Sequence, residues 1–152
     1  MEAAGAPRGS RILIVDDEPY LRKLLAFKLR TAGLVPIEAA DGDAALAAAL
    51  DEAPDAVLLD VSLSPGFTGF DVLRRLKEDP RTASIPVVFL TARVRPEERA
   101  TGLGLGAVRF LTKPFSTKTL LEELGGVLAA ARDGAAKGGP PPLGEGPPGT
   151  LV

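Results

Sequence analysis

At 152 residues, with 45% hydrophobic and 25% charged positions, the chain has the size and composition of one soluble globular domain with an adequate core. It contains neither cysteine nor histidine, which excludes disulfides, thiolate or imidazole metal sites, cysteine nucleophiles, and any histidine acting as acid, base or phosphoryl carrier. A net charge of -2 without a block of Lys or Arg leaves no footprint for nucleic acid, and no apolar run reaches the roughly 18 residues of a membrane span or forms a signal peptide, so a cytoplasmic location is the default expectation.

Residues 1–10 are small and Pro/Gly-punctuated and are expected to be disordered. Ile12, Leu13, Ile14 and Val15 then form an unbroken aliphatic run, which suits a strand covered on both faces, and three acids follow at once: Asp16, Asp17 and Glu18. Pro19 opens a helix with Leu21, Leu24, Leu25, Lys28 and Leu29 at helical spacing, closed by Gly33. A short second strand, LVPIEAA, precedes an Ala/Leu helix with Asp41 or Asp43 as its cap and Pro54 beyond its end. AVLLD (56–60) repeats the pattern of an apolar strand ending in an acid, and the loop VSLSPGFTG leads to a helix FDVLRRLKED that stops before Pro80. IPVVFLTA is a strand ending in Thr91, and a weaker helix from about Pro96 is expected to be interrupted at Gly102 and Gly104. VRFLTKPF gives the fifth strand, and STKTLLEELGGVLAAAR the last helix, with Ser116 or Thr117 as cap and Gly125 and Gly126 weakening its middle. From residue 133 to 152, eleven of twenty residues are Gly or Pro, and a disordered tail is expected. The domain is thereby bounded at 11–132.

Five repeats of strand then helix imply an α/β fold with a doubly wound parallel sheet, whose ligand crevice lies outside the carboxyl ends of the strands. At those ends stand Asp16, Asp17, Glu18, Asp60, Thr91 and Lys113. Carboxylates about 4 Å apart repel by roughly 4 kcal/mol at an effective dielectric near 20, so such a cluster either splays into water or holds a cation. The physical reading is an oxygen-ligand site for a hard divalent ion, with a hydroxyl and an ammonium beside it to receive a phosphoryl group. Asp60 serves both as ligand and as nucleophile. Its carboxylate is ionised at neutral pH without a neighbouring base, which suits a chain lacking histidine. Each residue also has a plainer reading: an Asp ending a strand as a turn or cap, acids before a helix as dipole complements, Thr91 as a strand residue, Lys113 as a solvated charge. The plainer readings do not explain why all of them fall at one sheet edge.

In sequence order, LIVDDEP, VLLDV, FLTA and GAVRFLTKPF resemble the signature blocks of response-regulator receiver domains of bacterial two-component systems, over roughly residues 11–132. The resemblance implies the flavodoxin-like receiver fold with strand order 2-1-3-4-5. It implies Asp60 as phosphoacceptor, Asp17 as a direct Mg2+ ligand, Asp16 as a ligand acting mainly through water, and Ser62 as a backbone carbonyl ligand. Thr91 and Lys113 would contact the phosphoryl oxygens, and the Lys113–Pro114 bond would be cis. Phe110 would follow Thr91 inward on phosphorylation, changing the partner affinity of the face formed by the fourth helix, fifth strand and fifth helix. The implied phosphodonor is a sensor histidine kinase or a histidine phosphotransfer protein, and a phosphorylation-dependent homodimer is compatible with the family.

The chain departs from the family after the phosphoacceptor. Pro65 lies five residues and Gly69 nine residues beyond Asp60, one more in each case than the common spacing. Ser62 and Arg93 occupy positions resembling the family's tuning sites for dephosphorylation, and small Ala92 leaves the phosphoryl group reachable. The run GLGLGA has glycines spaced G-x-G-x-G ahead of a strand, which is not a nucleotide-binding arrangement. Gly102 and Gly104 are read instead as allowing close packing, and Gly106 as ending the helix.

The leading expectation is a stand-alone, chemotaxis-regulator-like receiver with no output domain, which signals through another protein and catalyses no reaction beyond its own phosphorylation and dephosphorylation. A phosphorelay intermediate is the nearest alternative. A phosphorylation-independent interaction module has against it that every chemical residue is present. A Mg2+ phosphohydrolase of haloacid-dehalogenase type needs a second acid two residues past its nucleophile, where this chain has Ser62.

Overall fold

Strands and helices alternate five times in the computed structural model, which describes residues 7–63, 67–91, 95–107 and 109–136. The order is β1 (Arg11–Val15), α1 (Pro19–Thr31), β2 (Val35–Ala39), α2 (Gly42–Glu52), β3 (Ala56–Asp60), α3 (Gly69–Glu78), β4 (Val87–Thr91), α4 (Pro96–Gly104), β5 (Arg109–Thr112) and α5 (Thr117–Ala136). All pairings are parallel, in the order β2-β1-β3-β4-β5, as expected for the flavodoxin-like receiver fold.

The wholly apolar runs account for this arrangement. Every residue of β3 and β4 is buried, and so are Ile12 to Val15 of β1, because these three strands are covered on both faces. Alternate residues feed two cores. Ile12, Ile14, Leu58, Val88, Leu90 and Leu111 pack with Leu25 and Leu29 of α1 and Leu120 and Leu124 of α5. Leu13, Val15, Val57, Leu59, Val87, Phe89 and Phe110 pack with Ala45 and Ala49 of α2, Val72, Leu73 and Leu76 of α3, and Leu103 of α4. Full burial of one such Leu, Val or Phe is worth about 1.5–3 kcal/mol, so the sheet ends are held by two dense layers.

Several local readings are refined. Asp41, not Asp43, caps α2, its Oδ1 accepting from the Ala44 amide at 2.8 Å. Ser116 caps α5 by accepting from the Thr119 amide at 3.0 Å. Thr68 and Asp71 form a reciprocal capping box at the start of α3. The helix α4 is not interrupted at Gly102: it runs through that residue and ends at Gly104, and Gly106 follows with φ +109 in the left-handed region. The helix α5 also runs unbroken past Gly125 and Gly126, and it continues four residues past the expected boundary at 132. At the other end, the described structure begins inside the segment expected to be disordered: the Gly9 amide donates to Gly33 O at 2.8 Å, and Ser10 O accepts from the Val35 amide at 2.8 Å.

The loop between β3 and α3 returns directly over the end of β3. The Gly69 amide donates to Val61 O at 2.9 Å, and a Cβ on Gly69 would overlap the carbonyl oxygen of Asp60. No side chain fits there. We expect Gly69→Ala to lower the free energy of unfolding in urea by about 1–3 kcal/mol, the range for overpacking. Gly104→Ala, where a Cβ would meet nothing within 4 Å, should be neutral or stabilising by up to about 1 kcal/mol through helix propensity.

Candidate functional site

Parallel register places the ends of β1 and β3 side by side: Val15 pairs with Leu59, so Asp16 emerges beside Asp60. One carboxylate oxygen from each of Asp16, Asp17 and Asp60 lies within 4.8 Å of the others. Asp16 is almost wholly buried at 1% exposure, Asp60 is buried at 8%, and Asp17 is exposed at the mouth. The crevice thus has two fixed floor oxygens and one open to solvent.

The two buried carboxylates are each oriented by a backbone amide. Asp16 Oδ1 accepts from the Glu18 amide at 2.9 Å, and Asp60 Oδ1 accepts from the Ser62 amide at 2.9 Å. Their other oxygens face Lys113, whose Nζ stands 3.6 Å from Asp16 Oδ2 and 3.5 Å from Asp60 Oδ2. These are ion-pair separations too long for good hydrogen bonds, and Asp16 Oδ2 is buried without a hydrogen-bond partner. Burial pushes the Asp60 carboxyl above its ordinary range, and the Asp16 charge pushes it the same way. The Ser62 amide and the Lys113 ammonium act against that rise.

Thr91 is buried at the end of β4, and its carbonyl accepts from the Lys113 amide at 2.7 Å, which ties the β5–α5 connection to β4. The Lys113–Pro114 bond is cis, as the resemblance implied. Ser62 is exposed beside Asp60. Phe110 is buried in β5, opposite Phe89 of β4. The sequence-derived residues Asp16, Asp17, Asp60 and Lys113 are therefore brought together, with Thr91 at the neighbouring strand end. Pro65, Ala92 and Arg93 lie outside the described residues.

Glu18 does not join the cluster. Its Oε1 accepts from the Leu21 amide at 3.0 Å and caps α1, so the third acid of the run serves the helix. Two contributors were missed. Arg22 Nη1 donates to Asp16 O at 2.7 Å while its Nε donates to Glu38 Oε1 of β2 at 3.2 Å, fixing the end of β1 from the side. Phe67, at the far end of the loop after Asp60, lies over Gly42 of α2, with the Arg75 guanidinium 5.7 Å from its ring centroid. Neither contact has a signal in local sequence, because each depends on which elements the topology makes neighbours.

The donor set fits a hard divalent ion. It consists of oxygens alone, one of them a buried carboxylate oxygen lacking a hydrogen bond, and their negative charge exceeds that of Lys113, the one ammonium within ion-pair reach among the described residues. Among the described residues, no helix is long and apolar enough to cross a membrane.

Comparison with known proteins agrees with this geometry. A profile of the response regulator receiver domain matches residues 12–125. The chain is 42% identical over 120 residues to the phosphate regulon transcriptional regulatory protein PhoB of Pseudomonas aeruginosa, an alignment that covers 79% of this chain and 52% of PhoB. It thus spans about half the length of that relative. It is 38% identical over 120 residues to PilH of the same organism, with 79% of this chain and 98% of PilH aligned. Among solved structures, the chemotaxis protein CheY4 of Vibrio cholerae superposes with a TM-score of 0.74 at 34% identity, covering 78% of this chain and 98% of CheY4. With the acid cluster, the strand order and the aligned length all in accord, the chain belongs to the receiver-domain family of response regulators, a family of signalling modules.

Proposed function

We propose that this chain is a phosphorylation-controlled switch that accepts a phosphoryl group on Asp60 from the phosphohistidine of a sensor kinase or phosphotransfer protein. The observation that carries this reading is the pair Asp16 and Asp60, held side by side at the sheet edge with Lys113 Nζ 3.5–3.6 Å from both. Residues 1–152 contain no histidine, so the donor imidazole lies outside them.

Asp16, Asp17 and Asp60, with the Ser62 carbonyl, would hold Mg2+, which supplies neutralisation of the charge that gathers on the transferring oxygens. The chain's own groups do the rest. The Ser62 amide holds one oxygen of Asp60, leaving the second to attack phosphorus as the P–N bond of the donor breaks and the leaving imidazole takes up a proton. Lys113 turns from its carboxylate partners to the incoming phosphoryl oxygens, and Thr91 offers its hydroxyl to another. The side chains Tyr20 and Phe27 and the half-exposed Leu24 make α1, beside the site, an apolar surface on which a donor protein can settle. Movement of Thr91 and Phe110 then changes the face of α4, β5 and α5 that a downstream partner reads.

Incubation with Mg2+ and acetyl phosphate should add one phosphoryl mass to the intact chain, with none added to Asp60→Asn. Addition to the mutant, or none to a folded wild-type chain that binds Mg2+ and is offered a phosphorylated kinase, would overturn the assignment.

A stability effect follows from the electrostatics. Because the folded-state pKa of Asp60 is raised, the folded chain binds more protons than the unfolded one between the ordinary carboxylate value and the raised one, so stability falls as pH rises through that window. At neutral pH without divalent metal, Asp60→Asn should therefore raise Tm in a thermal melt. Added Mg2+ should raise the wild-type Tm more than that of the mutant.

A further inference from the structure

Phe110 occupies a slot with three identifiable walls. Its ring stacks on Phe89 with centroids 5.1 Å apart and planes at 30°, and Phe89 in turn meets Phe70 edge-on at 5.2 Å. The Arg99 guanidinium carbon stands 5.6 Å from the Phe110 centroid. The remaining wall is the backbone of α4 at Gly102, where a Cβ would lie 2.6 Å from Phe110 Cζ, 3.0 Å from Phe110 Cε1 and 3.1 Å from Phe89 Cε2. All three atoms belong to aromatic rings, and Phe89 is backed by Phe70, so a Cβ at residue 102 is accommodated by displacing the Phe110 ring as a whole.

The glycine has an intrinsic cost. In a helix interior it is about 1 kcal/mol less favourable than alanine, and here that cost is offset by letting the aromatic pair close against α4. Gly104, two residues on, meets nothing within 4 Å, so closeness to the ring is particular to Gly102.

We propose that Gly102 is a positioning residue: by opening the slot, it holds Phe110 inward and so raises the affinity of the Asp60 site for a phosphoryl group. This rests on the switch reading given above. The connection runs along β4, where Phe89 precedes Thr91 by two residues and so shares its face of the sheet, with Phe89 opposite Phe110 and Thr91 opposite Thr112 in register. If an inward ring and a bound phosphoryl group favour the same packing of this strand pair, linkage requires that whatever expels the ring also weakens the site.

The test uses the full chain, Mg2+ and beryllofluoride, which mimics a phosphoryl group on a carboxylate, titrated by fluorine NMR. Wild type should bind. Gly102→Ala should bind at least about fivefold more weakly, the lower end of typical coupling between sites. In a Phe110→Ala background, adding Gly102→Ala should change affinity little, since no ring remains to expel. Equal affinity of wild type and Gly102→Ala would overturn the inference, as would an undiminished effect in the Phe110→Ala background. Should Gly102→Ala alone fail to fold, Phe110→Ala by itself is compared with wild type: weaker binding supports the coupling and unchanged binding overturns it. Absence of binding by the folded wild type would instead overturn the phosphoacceptor reading, and this inference with it.

Discussion

The repulsion among Asp16, Asp17 and Asp60 is the constraint around which the site is organised. Two strands that must lie side by side to bury their aliphatic residues each end in an acid, and their register leaves the chain no way to separate Asp16 from Asp60 without unpairing β1 from β3. At an effective dielectric near 20, like charges about 4 Å apart cost roughly 4 kcal/mol per pair, and one ammonium, Lys113 at 3.5–3.6 Å from two of the three carboxylates, leaves the cluster with net negative charge. The apolar layers on either face supply the rigidity that holds such a cluster together. The same repulsion that weakens the metal-free fold makes the crevice attractive to a divalent ion and to the chemistry that such an ion supports.

The strands and the sheet edge were legible because the relevant signal is short-range and strong. A fully apolar run of four or five residues suits a strand covered on both faces, and a parallel sheet puts every strand's carboxyl end on one edge, so the functional residues could be gathered without knowing any contact. What was not legible depends on partners distant in sequence. Nothing in the order Asp16, Asp17, Glu18 says that the third acid turns back to cap α1 while the first two face the crevice. Arg22 holds the Asp16 carbonyl only because β2 brings Glu38 to the same place.

The glycines show the same limit. Gly102 and Gly104 look alike in the sequence and were read together as breaks and packing sites, yet α4 is continuous through the first and ends at the second. One faces an aromatic ring and the other open space. Gly69, placed by the sequence in the loop after Asp60, is the first residue of α3, and its backbone lies directly against the Asp60 carbonyl. For each of these residues, the role is set by the atom opposite and not by conformational freedom in general.

The length of α5 has a geometric consequence. At about 1.5 Å per residue, its twenty residues extend roughly 30 Å from Thr117, which follows the site lysine by four positions, while a strand of five residues spans only about 17 Å. The last helix therefore runs well past the opposite rim of the sheet, and the chain leaves Ala136 on the far side of the domain from Asp60. The end of α5 at Ala136 is thus the part of the helix most remote from the acidic mouth, whose field is screened over about 8–10 Å at physiological salt.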